Sequence, residues 1–60
     1  MTSMTTRKIN KFSTDENHGN ALEALMDYYG VTALNRISEE QALAFLHKLE
    51  NGEVVISNAN

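Results

Sequence analysis

The sequence predicts an all-α or mainly α fold, with two principal helices over about 14/20–29 and 39–50 inside one small domain, residues 1–60. The chain has 60 residues and contains no proline and no cysteine. Two segments space their apolar residues three and four apart, as one face of a helix requires. Capping residues precede each segment and a glycine follows it, which is typical of helix ends.

The first predicted helix has two candidate starts. Ser13-Thr14-Asp15-Glu16 carries the serine and the glutamate of a capping box, and Asn20 offers a second cap after Gly19. A glycine inside a helix costs about 1 kcal/mol. We therefore expect a helix over 20–29, and its extension back to residue 14 stays open. The predicted apolar stripe consists of Leu22, Leu25, Met26 and Tyr29.

Gly30 is the predicted end of this helix, because glycine readily adopts the left-handed conformation that follows many helices. Residues 31–37 then form a connector in which Val31, Leu34 and Ile37 are spaced by three. That spacing predicts a single helical turn packed under its neighbours.

The second predicted helix begins at a clear capping signal, Ser38-Glu39-Glu40-Gln41, and ends at Asn51-Gly52. Its apolar face spans roughly 160°, wider than the ~100° stripe that one neighbouring helix covers. Leu43 and Phe45 lie at opposite edges of this face. We expect one of these edges to be open to a partner.

The two ends of the chain are predicted to be irregular. Residues 1–12 are expected to form a basic, flexible or extended arm, since Ile9 and Phe12 do not alternate as a half-buried strand requires. The β-branched run within 53–57 could form a short strand with residues 7–12, pack loosely, or add a strand to another chain. Residues 57–60 are expected to be disordered.

The charge of the chain is divided between a basic start and an acidic remainder. The formal net charge is −3. Residues 1–12 carry three cations and no acid, which gives +3, whereas residues 13–60 carry two cations and eight acids, which gives −6. The acidic part would repel nucleic acid, and the basic arm could attract it. The small core of a 60-residue chain also predicts a homo-oligomer or a larger partner as a source of stability.

Enzymatic and metal chemistry are not expected. Thiolate ligands are absent, and only His18 and His47 could supply nitrogen ligands. No glycine-rich phosphate loop is present, and no nucleophile has a base and an orienting group beside it. The sequence therefore predicts no catalytic residue, no metal and no cofactor. Without an apolar run of bilayer length or a secretory signal, a cytoplasmic protein that does not bind membranes is expected.

Residues 25–50 resemble a small helical docking unit at the ends of phage and prophage DNA-recombination proteins. The resemblance lies in Tyr29-Gly30-Val31, in Leu34, and in Ile37-Ser38-Glu39-Glu40-Gln41-Ala42. It covers less than half of the chain, and the larger annealing domain is missing. What the resemblance implies is a docking module, without annealing activity.

Three functions follow from these observations. The first is a protein-binding module, such as a phage-type accessory or inhibitor, whose predicted contact residues are Tyr28, Leu43, Phe45 and His47. The second is a dimeric DNA-binding regulator that resembles the ribbon-helix-helix family, with contacts from Arg7, Lys8, Asn10 and Lys11. The third is a structural protein that assembles with itself.

Overall fold

Three α-helices make up the fold in a computed structural model that describes residues 1–13 and 20–56. In chain order the elements are α1 (Ser3–Asn10), α2 (Asn20–Tyr29), a 3₁₀ turn (Leu34–Arg36) and α3 (Glu39–Glu50). The predicted mainly helical fold is confirmed. No helix in the described ranges has the length and apolar character needed to cross a membrane.

Helix α1 occupies the segment for which the sequence predicted a flexible or extended arm, and that prediction is wrong. Thr2 caps the helix, since its Oγ1 accepts a hydrogen bond from the Thr5 backbone N–H at 3.2 Å. Thr5 and Ile9 are buried one turn apart, and α1 packs against both α2 and α3. The buried face of α1 carries one large apolar residue, Ile9, and a helix so short depends on tertiary packing.

Helix α2 matches the secure part of the prediction. Ala21 and Leu25 are buried, and Gly30 ends the helix with a φ of +67°. The Val31 backbone N–H donates a hydrogen bond to the Met26 carbonyl at 3.0 Å, which caps this end of the helix. The predicted extension back to residue 14, with Glu16 and His18, lies outside the described residues.

Ser13 helps to cap α2, while its predicted capping box with Glu16 lies outside the described residues. Its Oγ accepts a hydrogen bond from the Ala21 backbone N–H at 3.0 Å and donates one to Asn10 Oδ1 at 2.8 Å. It therefore satisfies a free donor at the start of α2 and joins that helix to the end of α1.

Helix α3 begins and ends where the sequence predicted. The Ser38 hydroxyl accepts from the Gln41 backbone N–H at 3.1 Å, and the Gln41 side chain accepts from the Ser38 N–H at 3.0 Å. This reciprocal pair is the predicted capping box. Gly52, with a φ of +75°, follows the helix. The predicted single turn between α2 and α3 is the 3₁₀ turn at Leu34–Arg36.

The core draws on every element and on the segment after α3. Residues 53–56 form turns and irregular structure without a strand, and Ile56 packs into the core while Val55 is exposed. The predicted tail over 57–60 lies outside the described residues. The buried apolar residues are Ile9, Ala21, Leu25, Ile37, Ala42, Phe45, Leu46, Leu49 and Ile56.

Candidate functional site

A groove of about 330 Å³ lies between the C-terminal halves of α1 and α3. Helix α1 and the residues after it contribute Lys8, Lys11 and Phe12, and α3 contributes Leu46 and Glu50. The groove therefore combines apolar side chains with two cations on one wall and one carboxylate on the other.

Glu39 aligns the two helices that form the groove. One oxygen of its carboxylate accepts from the Thr2 backbone N–H at 2.8 Å, and the other accepts from the Thr5 hydroxyl at 2.6 Å. The N-terminal ends of α1 and α3 are thus joined, while their C-terminal halves face each other across the groove. The two helices run side by side in the same direction.

These hydrogen bonds favour the ionised form of Glu39. The Thr5 hydroxyl, followed by the Thr2 N–H, lowers the pKa of the Glu39 carboxyl below its ordinary value, against a smaller opposing effect of desolvation. Glu39 is also the first residue of α3, where a negative charge is favoured by the helix dipole. The carboxylate therefore serves as a structural anchor for α1.

Two exposed apolar side chains lie on α1 and α3 one turn before residues that line the groove. Met4 is 66% exposed and lies one turn before Lys8 on the same face of α1. Leu43 is 41% exposed and lies one turn before Leu46 on α3. Phe12, which lines the groove, is 37% exposed. Together these residues and the groove lining form the α1/α3 face, which consists of Met4, Lys8, Lys11, Phe12, Leu43, Leu46 and Glu50.

The predicted protein-binding residues do not form one surface. Phe45 is fully buried, so the edge of α3 that it marks is closed and its prediction as a contact residue is wrong. The ring of Tyr28 covers it, with ring centroids 5.4 Å apart, and stays 50% exposed. The apolar face of α3 is wide because it has two neighbours, the tyrosines of α2 and the unpredicted helix α1. Leu43 marks the edge that remains open.

The predicted contact residue His47 and the predicted stripe residue Tyr29 both lie outside the groove. His47 is exposed on α3, one turn after Leu43 and outside the groove lining. Tyr29 is half-buried against the core, and its hydroxyl donates to the Gln41 carbonyl at 3.0 Å. Within the described ranges, no group of three or more histidine or acidic side chains is arranged to hold a metal ion.

The predicted DNA-binding residues belong to a helix. Arg7, Lys8, Asn10 and Lys11 are all exposed. Because this segment is α1, it is not the extended strand that a ribbon-helix-helix protein places in the major groove. The structural basis of that alternative is therefore wrong. Two of its residues, Lys8 and Lys11, instead line the groove beside α3.

Sequence reasoning did not identify Met4, Leu46 and Glu50 as site residues. A signal was present on α1, since Met4, Lys8 and Lys11 are spaced by four and three and so share one helical face. That signal has meaning only once the segment is known to be helical. The chain matches no protein-family profile, no curated protein and no solved structure.

Proposed function

We propose that this chain is a small protein-interaction module that binds another protein through the α1/α3 face. The observation that carries the proposal is a groove lined by apolar Phe12 and Leu46, with exposed Met4 and Leu43 one turn before it on the two helices. Interfaces place apolar and aromatic side chains at the centre of a polar rim. Lys8, Lys11 and Glu50 supply such a rim here.

The anchoring of α1 also supports a binding role. Glu39 fixes the start of α1 on α3, and buried Ile9 fixes its last turn in the core. A groove whose two walls are held in place before binding loses less conformational entropy when a ligand enters. The docking role implied by the resemblance of residues 25–50 agrees with this proposal, and a phage-type accessory or inhibitor would use such a face.

Site-specific photocrosslinking in cells of the source organism tests the proposal. A benzophenone amino acid replaces Leu43, and a matched variant carries it at Ala44, the next and also exposed residue on another side of α3. We expect a discrete product with a different protein from position 43 and none from position 44. Untagged wild-type chain should compete with this product, whereas untagged Leu43→Glu should not.

Two results would contradict the proposal. Equal products from both positions, or none from position 43, would mean that the α1/α3 face does not select a partner. A product with twice the mass of the chain would assign the face to self-assembly, which is the structural role predicted as an alternative.

A further inference from the structure

We propose that the occupant of the α1/α3 face is a short amphipathic helix of the partner, with acidic residues beside its apolar stripe. This inference rests on the proposed function and adds the chemistry of the partner to it. It follows from the charge of the groove walls, the common direction of α1 and α3, and the length of the α1/α3 face from Met4 to Phe12.

The charge of the face favours an acidic ligand. Lys8 and Lys11 line one wall, and Glu50 is the acid on the other wall. Neither lysine forms an ion pair with any residue that the structure describes. Residues 1–12 contain no acid that could pair with these lysines. Carboxylates on a ligand would therefore find two unpaired cations beside the apolar floor.

The shape of the face favours a helix. Helices α1 and α3 lie side by side in the same direction, which leaves a groove into which the side-chain ridge of a third helix can pack. The stretch from Met4 to Phe12 is roughly 12 Å long at the helical rise of 1.5 Å per residue. A ligand helix of two to three turns covers that length, with apolar side chains directed at Phe12 and Leu46.

Nucleic acid fits the same face less well. A phosphate backbone finds no hydrogen-bond donor on the side chains of Phe12, Leu43 and Leu46, and the Glu50 carboxylate would repel it. Residues 13–60 carry a net charge of −6, which opposes the approach of a polyanion. A short acidic helix carries far fewer charges than a duplex, and it can place its carboxylates beside Lys8 and Lys11 with its apolar side chains on the side of Glu50.

Fluorescence anisotropy with two labelled 14-residue peptides tests the inference on the full chain. Both peptides carry leucine, phenylalanine and leucine at helical spacing, and their flanking positions are glutamate in one and lysine in the other. At about 0.15 M salt we expect the glutamate peptide to bind about tenfold more tightly. The double variant Lys8→Glu/Lys11→Glu should remove or invert this preference.

A matched control separates the groove lysines from the general charge of α1. Arg7 is exposed on the same helix but does not line the groove. Arg7→Glu and the single variant Lys8→Glu change the charge of α1 by the same two units. We therefore expect Lys8→Glu to weaken binding of the glutamate peptide and Arg7→Glu to alter its affinity by less than about twofold. Circular dichroism of each variant reports whether the helices are kept.

The inference would be overturned by equal binding of the two peptides, by no binding of the glutamate peptide, or by an equal effect of Arg7→Glu. Tighter binding of a labelled 20-base-pair DNA duplex, weakening steeply with salt, would also overturn it in favour of nucleic acid. A dimer that Leu43→Glu dissociates would assign the face to a second copy. A heteromeric crosslink from position 43 together with a failed peptide test would leave the proposed function standing and reject only the acidic helix.

Discussion

Replacing Ile9 with alanine should strongly destabilise the chain, because Ile9 is the large apolar residue with which α1 enters the core. Its side chain is fully buried. The substitution removes three carbons at about 0.8 kcal/mol each, so the loss of burial alone is about 2.4 kcal/mol. A residual cavity adds to this, so the expected loss in the free energy of unfolding is about 2.5–5 kcal/mol.

This loss is large for a chain of such size. Domains have about 0.05–0.15 kcal/mol of stability per residue, which gives roughly 3–9 kcal/mol here. Urea denaturation followed by circular dichroism at 222 nm measures the effect, and the melting temperature should fall by about 10 °C or more.

Met4→Ala is the matched control, because Met4 lies on the same helix and is 66% exposed. Its effect on the free energy of unfolding should stay within about 0.5 kcal/mol. If residues 1–12 were a flexible arm, Ile9→Ala would be as mild as this control. Equal, small effects of the two substitutions would refute the reasoning that makes α1 part of the core.

Two further substitutions test the hydrogen bonds that cap α3 and those that anchor α1 to it. Ser38→Ala removes the capping box, so the free energy of unfolding should fall by about 1 kcal/mol in urea denaturation, and an unchanged midpoint would contradict the assigned cap. The pKa of Glu39 is lowered in the folded chain, so its ionised form stabilises the fold. This stabilisation is fully present at a pH above the ordinary glutamate pKa, and it is lost as the pH falls through the lowered pKa. The stability gap between wild type and Glu39→Gln should therefore narrow in denaturation curves recorded toward acid pH, and a gap independent of pH would contradict the anchoring role.

The parts of the fold that local chemistry determines could be predicted from the sequence. Ser38 and Gln41 fix the start of α3 through hydrogen bonds within four residues, and Gly30 fixes the end of α2 through its positive φ. Neither feature depends on distant residues. Helix α1 could not be predicted in the same way, because Thr5 and Ile9 gain their buried positions only by packing against α2 and α3.

In the candidate site, too, local sequence predicts some features and packing between helices determines the others. The open edge at Leu43 was predictable from the width of the apolar face of α3, and its 41% exposure agrees with that prediction. The sequence did not distinguish this edge from the one at Phe45, which Tyr28 covers in a contact between helices that no local pattern encodes. The position of Lys8 and Lys11 opposite Glu50 likewise requires that α1 be docked on α3.

The docking of α1 on α3 is the central claim, since the groove exists only if both walls are in place. Nuclear magnetic resonance of the isotope-labelled chain tests it directly. We predict helical carbon chemical shifts over residues 3–10 and nuclear Overhauser contacts between the Thr5 and Glu39 side chains, which are joined by a 2.6 Å hydrogen bond. Random-coil shifts over residues 3–10, with no contact between Thr5 and Glu39, would contradict the docked helix and remove the groove.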